Sequence, residues 1–133
     1  MTATIDFDAP DLAGAIERLS QHDLDRLPFG VILIERDGTV LFYSETEMRQ
    51  SGYPGRPLGQ NLFEISHGLG NDAFRGRIRQ AEEAGPVDLE FAWPGDFNDR
   101  SRELRIRVQS ARRGGFWLFI ERDMASAKRA AQA

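Results

Sequence analysis

Two β-forming runs on either side of one Asp-Gly constrain this chain more than any other stretch. In PFGVILIERDGTVLFYS, residues 28–44, the apolar and β-branched residues gather on both sides of Asp37-Gly38. That dipeptide supplies the positive φ a tight hairpin needs, so strands are expected at about residues 29–36 and 39–44. Three more strands close the chain. VDLEFAW alternates Val87, Leu89, Phe91 and Trp93 against Asp88, Glu90 and Ala92. RELRIRVQS alternates Leu104, Ile106 and Val108 against Arg105, Arg107 and Gln109. GFWLFIER is apolar on both faces. A hairpin followed by a meander predicts one five-stranded antiparallel sheet. Asp88 and Glu90 are placed to meet Arg105 and Arg107 across it, pairs that set register more than they add stability. The arginines of RSRELRIR read as a solvated, salt-bridged strand face, with an anionic partner as the rival reading.

The segments between the strands read as helices. DAPDLAGAIERL has Asp8 and Asp11 as N-cap candidates, Pro10 near the start, and Leu12, Ile16 and Leu19 on one face. HDLDRL follows as a short turn. ETEMRQSG reads as a turn or two stopped by Gly52, and GQNLFEI as one more. NDAFRGRIRQAEEAG is the best helix: Asn71 or Asp72 caps it, Phe74, Ile78 and Ala81 share a face, and Gly85 ends it. The first two pieces are too short to be stable alone and must dock on something apolar. The second face of the last strand, with Trp117 and Phe119, needs such a cover, and a second copy of the chain in a homodimer is the rival. The expected organisation is an α+β chain: an N-terminal helical cap over residues 1–28, a core over 29–123, and a flexible tail over 124–133.

Composition narrows the function. The net charge of −4 gives no general attraction to nucleic acid or anionic lipid. Cysteine is absent, which removes disulfides, thiolate metal sites and thiol chemistry. The N-terminus MTATIDFDAP does not read as a secretory signal, and no apolar run approaches the roughly 18 residues of a membrane span. The expected location is the cytoplasm. No nucleophile elbow, phosphate loop, HExxH or calcium loop is legible, so no enzyme is expected.

The element order resembles a PAS domain, and particular stretches sharpen the match. LDRLPFGVILIERDGTVLFYSETE, LGQNLFEI and GGFWLFIERD resemble the corresponding regions of the photoactive yellow protein branch. The resemblance implies the PAS fold, with short helices on one sheet face, and a bacterial-type sensory role. In that family a Tyr and a Glu four residues apart hold the phenolate of a hydroxycinnamoyl chromophore, and Tyr43 and Glu47 fall on those positions. A Tyr and a protonated Glu can both donate to a buried oxyanion. The family's next two pocket positions fall on Ser51, which keeps a hydroxyl, and Tyr53, which loses a cation. A pocket aromatic matches Phe97. The family's anchoring cysteine falls within HGLG, residues 67–70, and this chain has none, so a thioester cannot form. The cysteine motif of flavin photosensing is missing for the same reason. His67 could serve haem as an axial ligand, but haem-binding PAS domains carry that His on the long helix, which has none here.

The expected function is therefore a signalling domain that binds a small molecule noncovalently and passes the signal to a separate protein. Tyr43, Glu47, Ser51, Tyr53, Phe97 and His67 are its candidate ligand residues. No cofactor and no metal are expected, and a small aromatic or acidic ligand would take the pocket. A PAS-type interaction module with a filled core and no ligand is the alternative.

Overall fold

The computed structural model describes residues 5–51, 55–65, 72–94 and 103–122. Five strands form one antiparallel sheet: β1 Gly30–Ile34, β2 Val40–Tyr43, β3 Asp88–Pro94, β4 Glu103–Ser110 and β5 Phe116–Arg122. Their order across the sheet is β2-β1-β5-β4-β3, so the first hairpin and the closing meander meet at the β1–β5 seam. This is the expected α+β PAS architecture. The helices are α1 Leu12–Ile16, α2 Gln21–Asp25, α3 Glu45–Ser51, α4 Leu62–Ile65 and α5 Asp72–Ala84. The tail over 124–133 and the stop at Gly52 lie outside the described residues.

The first turn differs in detail from a two-residue hairpin. Only Gly38 takes a positive φ, 100°. Its N–H bonds Glu35 O at 2.8 Å, and the Glu35 N–H bonds Thr39 O at 2.9 Å. The result is a three-residue loop, and an extra residue at Leu41 in β2 shifts the register between Leu33 and Ile34. The loop then serves as a dock. Asn61 Nδ2 donates to Asp37 O at 2.8 Å and the Leu62 N–H to Gly38 O at 2.9 Å. A Cβ at Gly38 would stand 2.6 Å from the Phe63 ring, so contact as well as φ requires glycine there.

β1 and β5 sit centrally and are buried on both faces. Ile32, Ile34, Phe116, Leu118 and Ile120 point into one cluster with Val40, Leu62, Phe74, Ile78, Phe91, Leu104, Ile106 and Val108. Helices α4 and α5 lie on that side, and Phe74, Ile78 and the partly buried Ala81 present the expected α5 face to it. Val31, Leu33, Trp117 and Phe119 point the other way, into a cluster with Phe7, Leu12, Ile16, Leu24, Leu27 and Phe29. The N-terminal helices thus cover Trp117 and Phe119. Asp11 caps α1 by accepting the Gly14 N–H at 3.0 Å, and Ser20 caps α2.

The basic face of β4 is not solvated as the alternation led one to expect. Arg107 and Gln109 are buried, because the N-terminal segment lies across them. Arg107 Nη1 donates to Phe7 O and Ala9 O, each at 2.7 Å. Gln109 accepts the Ala13 N–H at 2.7 Å and donates to Pro10 O at 3.0 Å. Arg105 stays half-exposed and is salt-bridged to Glu90 at 3.3 Å, Glu121 at 3.0 Å and Asp8. Its hydrogen bond holds the Asp8 carboxyl below the ordinary carboxylate range. An alternating strand cannot reveal that its polar side will meet peptide carbonyls instead of water.

Removing residues 1–25 is expected to uncover the Trp117–Phe119 face and strip the carbonyls from Arg107. The truncated protein should aggregate or dimerise, as light scattering on a sizing column would report. A truncated monomer as stable as the full chain would show that the cap contributes little.

Candidate functional site

The polar residues singled out by the sequence stand where β2 turns into α3. Tyr43 ends β2 with its ring in the inner cluster, 4% exposed. Ser44 follows as the helix cap. Its hydroxyl accepts the Glu47 N–H and the Val31 N–H, each at 3.1 Å, which ties the helix start to β1. Asp25 Oδ1 accepts the Glu45 N–H at 2.8 Å, and Thr46 Oγ1 donates to Leu27 O at 2.6 Å. The N-terminal segment and the sheet therefore both fix the first turn of α3.

Ser44 and Glu47 have the spacing of a capping box, in which the Glu would reach back to the cap's N–H. That N–H is already spent on Val31 O at 2.9 Å. Glu47 turns inward instead. Arg122 Nη1 donates to Glu47 Oε1 at 2.7 Å and Nη2 to Oε2 at 2.8 Å. The two side chains are 4% and 2% exposed. Gly30 makes room for the carboxylate: a Cβ there would fall 1.9 Å from Glu47 Oε1. One helix turn on, Ser51 Oγ lies 3.2 Å from Tyr43 Oη.

This geometry changes the chemistry expected of Glu47. Both carboxylate oxygens accept from one guanidinium, so Glu47 is the ionised half of a bidentate pair and not a proton donor. Tyr43 and Ser51 come together as expected. Tyr53, His67 and Phe97 lie outside the described residues. Among the described residues no group of His, Cys, Asp and Glu could hold a metal, and no helix is long and apolar enough to cross a membrane.

Arg122 is the residue that sequence reasoning missed. The signal was present in GFWLFIER: Leu118 and Ile120 face the inner cluster, and Arg122 continues that alternation. A charge at a core-facing position must be paired or hydrogen-bonded.

No family model matches the chain. It is similar to curated proteins nonetheless. The photoactive yellow protein of Rhodothalassium salexigens is 26% identical over 121 residues, covering 89% of this chain and 97% of that protein. The photoactive yellow protein of Cereibacter sphaeroides is 29% identical with the same coverage. Among solved structures, the photoactive yellow protein domain of the sensor histidine kinase Ppr from Rhodospirillum centenum is 31% identical, with a TM-score of 0.71. That match spans 82% of this chain and 98% of that domain.

A pair this deeply buried is expected to behave asymmetrically under mutation. Glu47→Leu or Arg122→Met alone breaks a buried bidentate pair and should cost about 3–5 kcal/mol. Glu47→Leu combined with Arg122→Met should recover most of that loss. Urea unfolding of the four proteins would show it, and simple additivity of the single losses would refute a coupled buried pair.

Proposed function

We infer that this chain, which belongs to the photoactive yellow protein family of PAS domains, senses through noncovalent chemistry. It is a sensory signalling domain. Its residues do not fit the family's covalent chromophore. No cysteine exists to form the thioester, and the Glu47 oxygens that would meet a phenolate are held by Arg122.

The reading proposed is a domain that binds a small aromatic or acidic molecule beside Tyr43, Ser51, Glu47 and Arg122. It then passes the signal to a separate protein. The observation that carries it is the Glu47–Arg122 pair within the inner half of the fold. A buried ion pair seldom improves stability over apolar residues of similar volume, so its presence asks for another reason. An entering carboxylate or phenolate supplies one, because it can compete with Glu47 for the Arg122 guanidinium. Tyr43 and Ser51 add hydroxyl groups that donate to the same class of ligand. A second reading draws on the same pair together with the Tyr43–Ser51 contact. Glu47 pairs with Arg122 and Tyr43 with Ser51, as a filled core in an interaction module would have them.

A thermal-shift screen of small aromatic acids and phenols, followed by calorimetry, separates the two. Under the sensor reading acids bind, Tyr43→Phe weakens them by about 1–2 kcal/mol, and the apolar double variant at positions 47 and 122 abolishes binding. If nothing binds the folded protein, or bound acids ignore all three substitutions, the interaction module is the better account.

Incubation with activated hydroxycinnamic acid should add no mass to the protein and leave no visible band. A stoichiometric adduct would overturn the noncovalent assignment.

A further inference from the structure

A second feature lies at the other end of the sheet, apart from Glu47 and Arg122. The β4–β5 turn, residues 111–115, meets α1 and α2 there. Between them runs a groove of about 410 Å³, lined by Ile16, Leu19, Leu24 and Trp117 with Arg112 and Arg113. Glu17 sets the position of its walls. One carboxylate oxygen accepts both the Trp117 indole N–H and the Arg112 backbone N–H, each at 2.9 Å. Arg113 also lines a separate neighbouring hollow with Gly114, Gly115, Glu35, Arg36 and Asp37.

Two facts about charge stand out. The chain as a whole is acidic, with a net charge of −4, yet two adjacent exposed arginines crown this groove. Among the described residues neither guanidinium has an ion-pair partner. The Glu17 carboxylate beside them is turned onto the Trp117 and Arg112 N–H groups.

We propose that this groove docks a short acidic peptide segment of a partner protein, with an apolar side chain seated on Trp117 and Leu19 and carboxylates over Arg112 and Arg113. Shape favours a segment over a small molecule. The trough is open along its length, whereas small ligands are held in concave sites that bury most of their surface. Charge complementarity selects an acidic segment, and the arginines would steer its approach. A seated segment would touch both the N-terminal helices and the sheet, so its binding would depend on the cap being docked. The inference does not rest on the ligand reading of Glu47 and Arg122.

The test uses the full chain and a fluorescein-labelled peptide, Glu-Asp-Leu-Phe-Glu-Leu-Asp, followed by anisotropy. Saturable binding that weakens with rising ionic strength is expected. Arg112→Glu combined with Arg113→Glu should weaken it roughly tenfold or more while leaving the melting temperature unchanged. Arg77→Glu, a charge reversal on α5 away from the groove, should leave affinity unchanged. Peptides with lysine for every acid, or serine for Leu and Phe, should fail to bind. Absence of saturable binding, equal affinity for the lysine peptide, or insensitivity to the double reversal would each overturn the proposal. So would a small aromatic acid that binds at Arg112 and Arg113 when the peptide does not.

Discussion

The architecture follows from one constraint: two adjacent strands, β1 and β5, are apolar on both faces. A sheet with such a centre cannot leave either side in water, so the chain must supply two covers. Helices α4 and α5 lie on one side, and α1 and α2 with the Phe7 segment provide the other. The second cover is thin. Two helices of five residues each cannot hold themselves together, and burial of Leu12 and Ile16 is only part of what fixes them. Arg107 and Gln109 do the rest by binding the main chain at Phe7, Ala9, Pro10 and Ala13. These contacts read peptide groups, so they fix where the segment lies without depending on its side chains.

Within that frame the Glu47–Arg122 pair places two opposite charges in the interior. Its cost is desolvation of two ions, offset only because the geometry is bidentate and both carboxylate oxygens are satisfied. The surrounding sequence accommodates it at several points. Gly30 leaves the space the carboxylate fills, and Ser44 holds the helix start so that Glu47 faces inward. Asp25 and Leu27 bind the same helix turn from the N-terminal side. The site is thus joined to the cap by hydrogen bonds to one turn of helix, a short physical path between them.

Strand number, sheet type and the cover over Trp117 and Phe119 were legible in the sequence, because period-two alternation and a glycine turn are local signals. A family resemblance singled out Tyr43, Glu47 and Ser51, and the structure brings Tyr43 and Ser51 within hydrogen-bonding distance. The partner of Glu47 was not. Arg122 is 75 residues away in sequence, and only the β1–β5 pairing brings its strand beside Gly30. The burial of Arg107 escaped for a related reason. Alternation tells which side of a strand is polar, but whether water or another segment meets that side is decided by tertiary packing. The hairpin loop gained a residue because Gly38 alone adopts a positive φ, so Asp37 sits in the turn as an acceptor for Thr39.

Loss of the thiol changes what kind of signal this fold can report. A covalent chromophore stays bound through every state of the protein, so its message is a change within the bound group. A noncovalent ligand has to shift populations by binding one state more tightly than another. Under the proposed ligand reading, the Glu47–Arg122 pair would be the element such a ligand acts on, since a guanidinium paired with Glu47 could be paired with a ligand anion instead. In such a second state Glu47 would lose both of its hydrogen bonds to Arg122. That loss would act on α3, the turn that Asp25 and Leu27 hold from the cap. The differential binding free energy would therefore appear as a change in how firmly the N-terminal segment is docked.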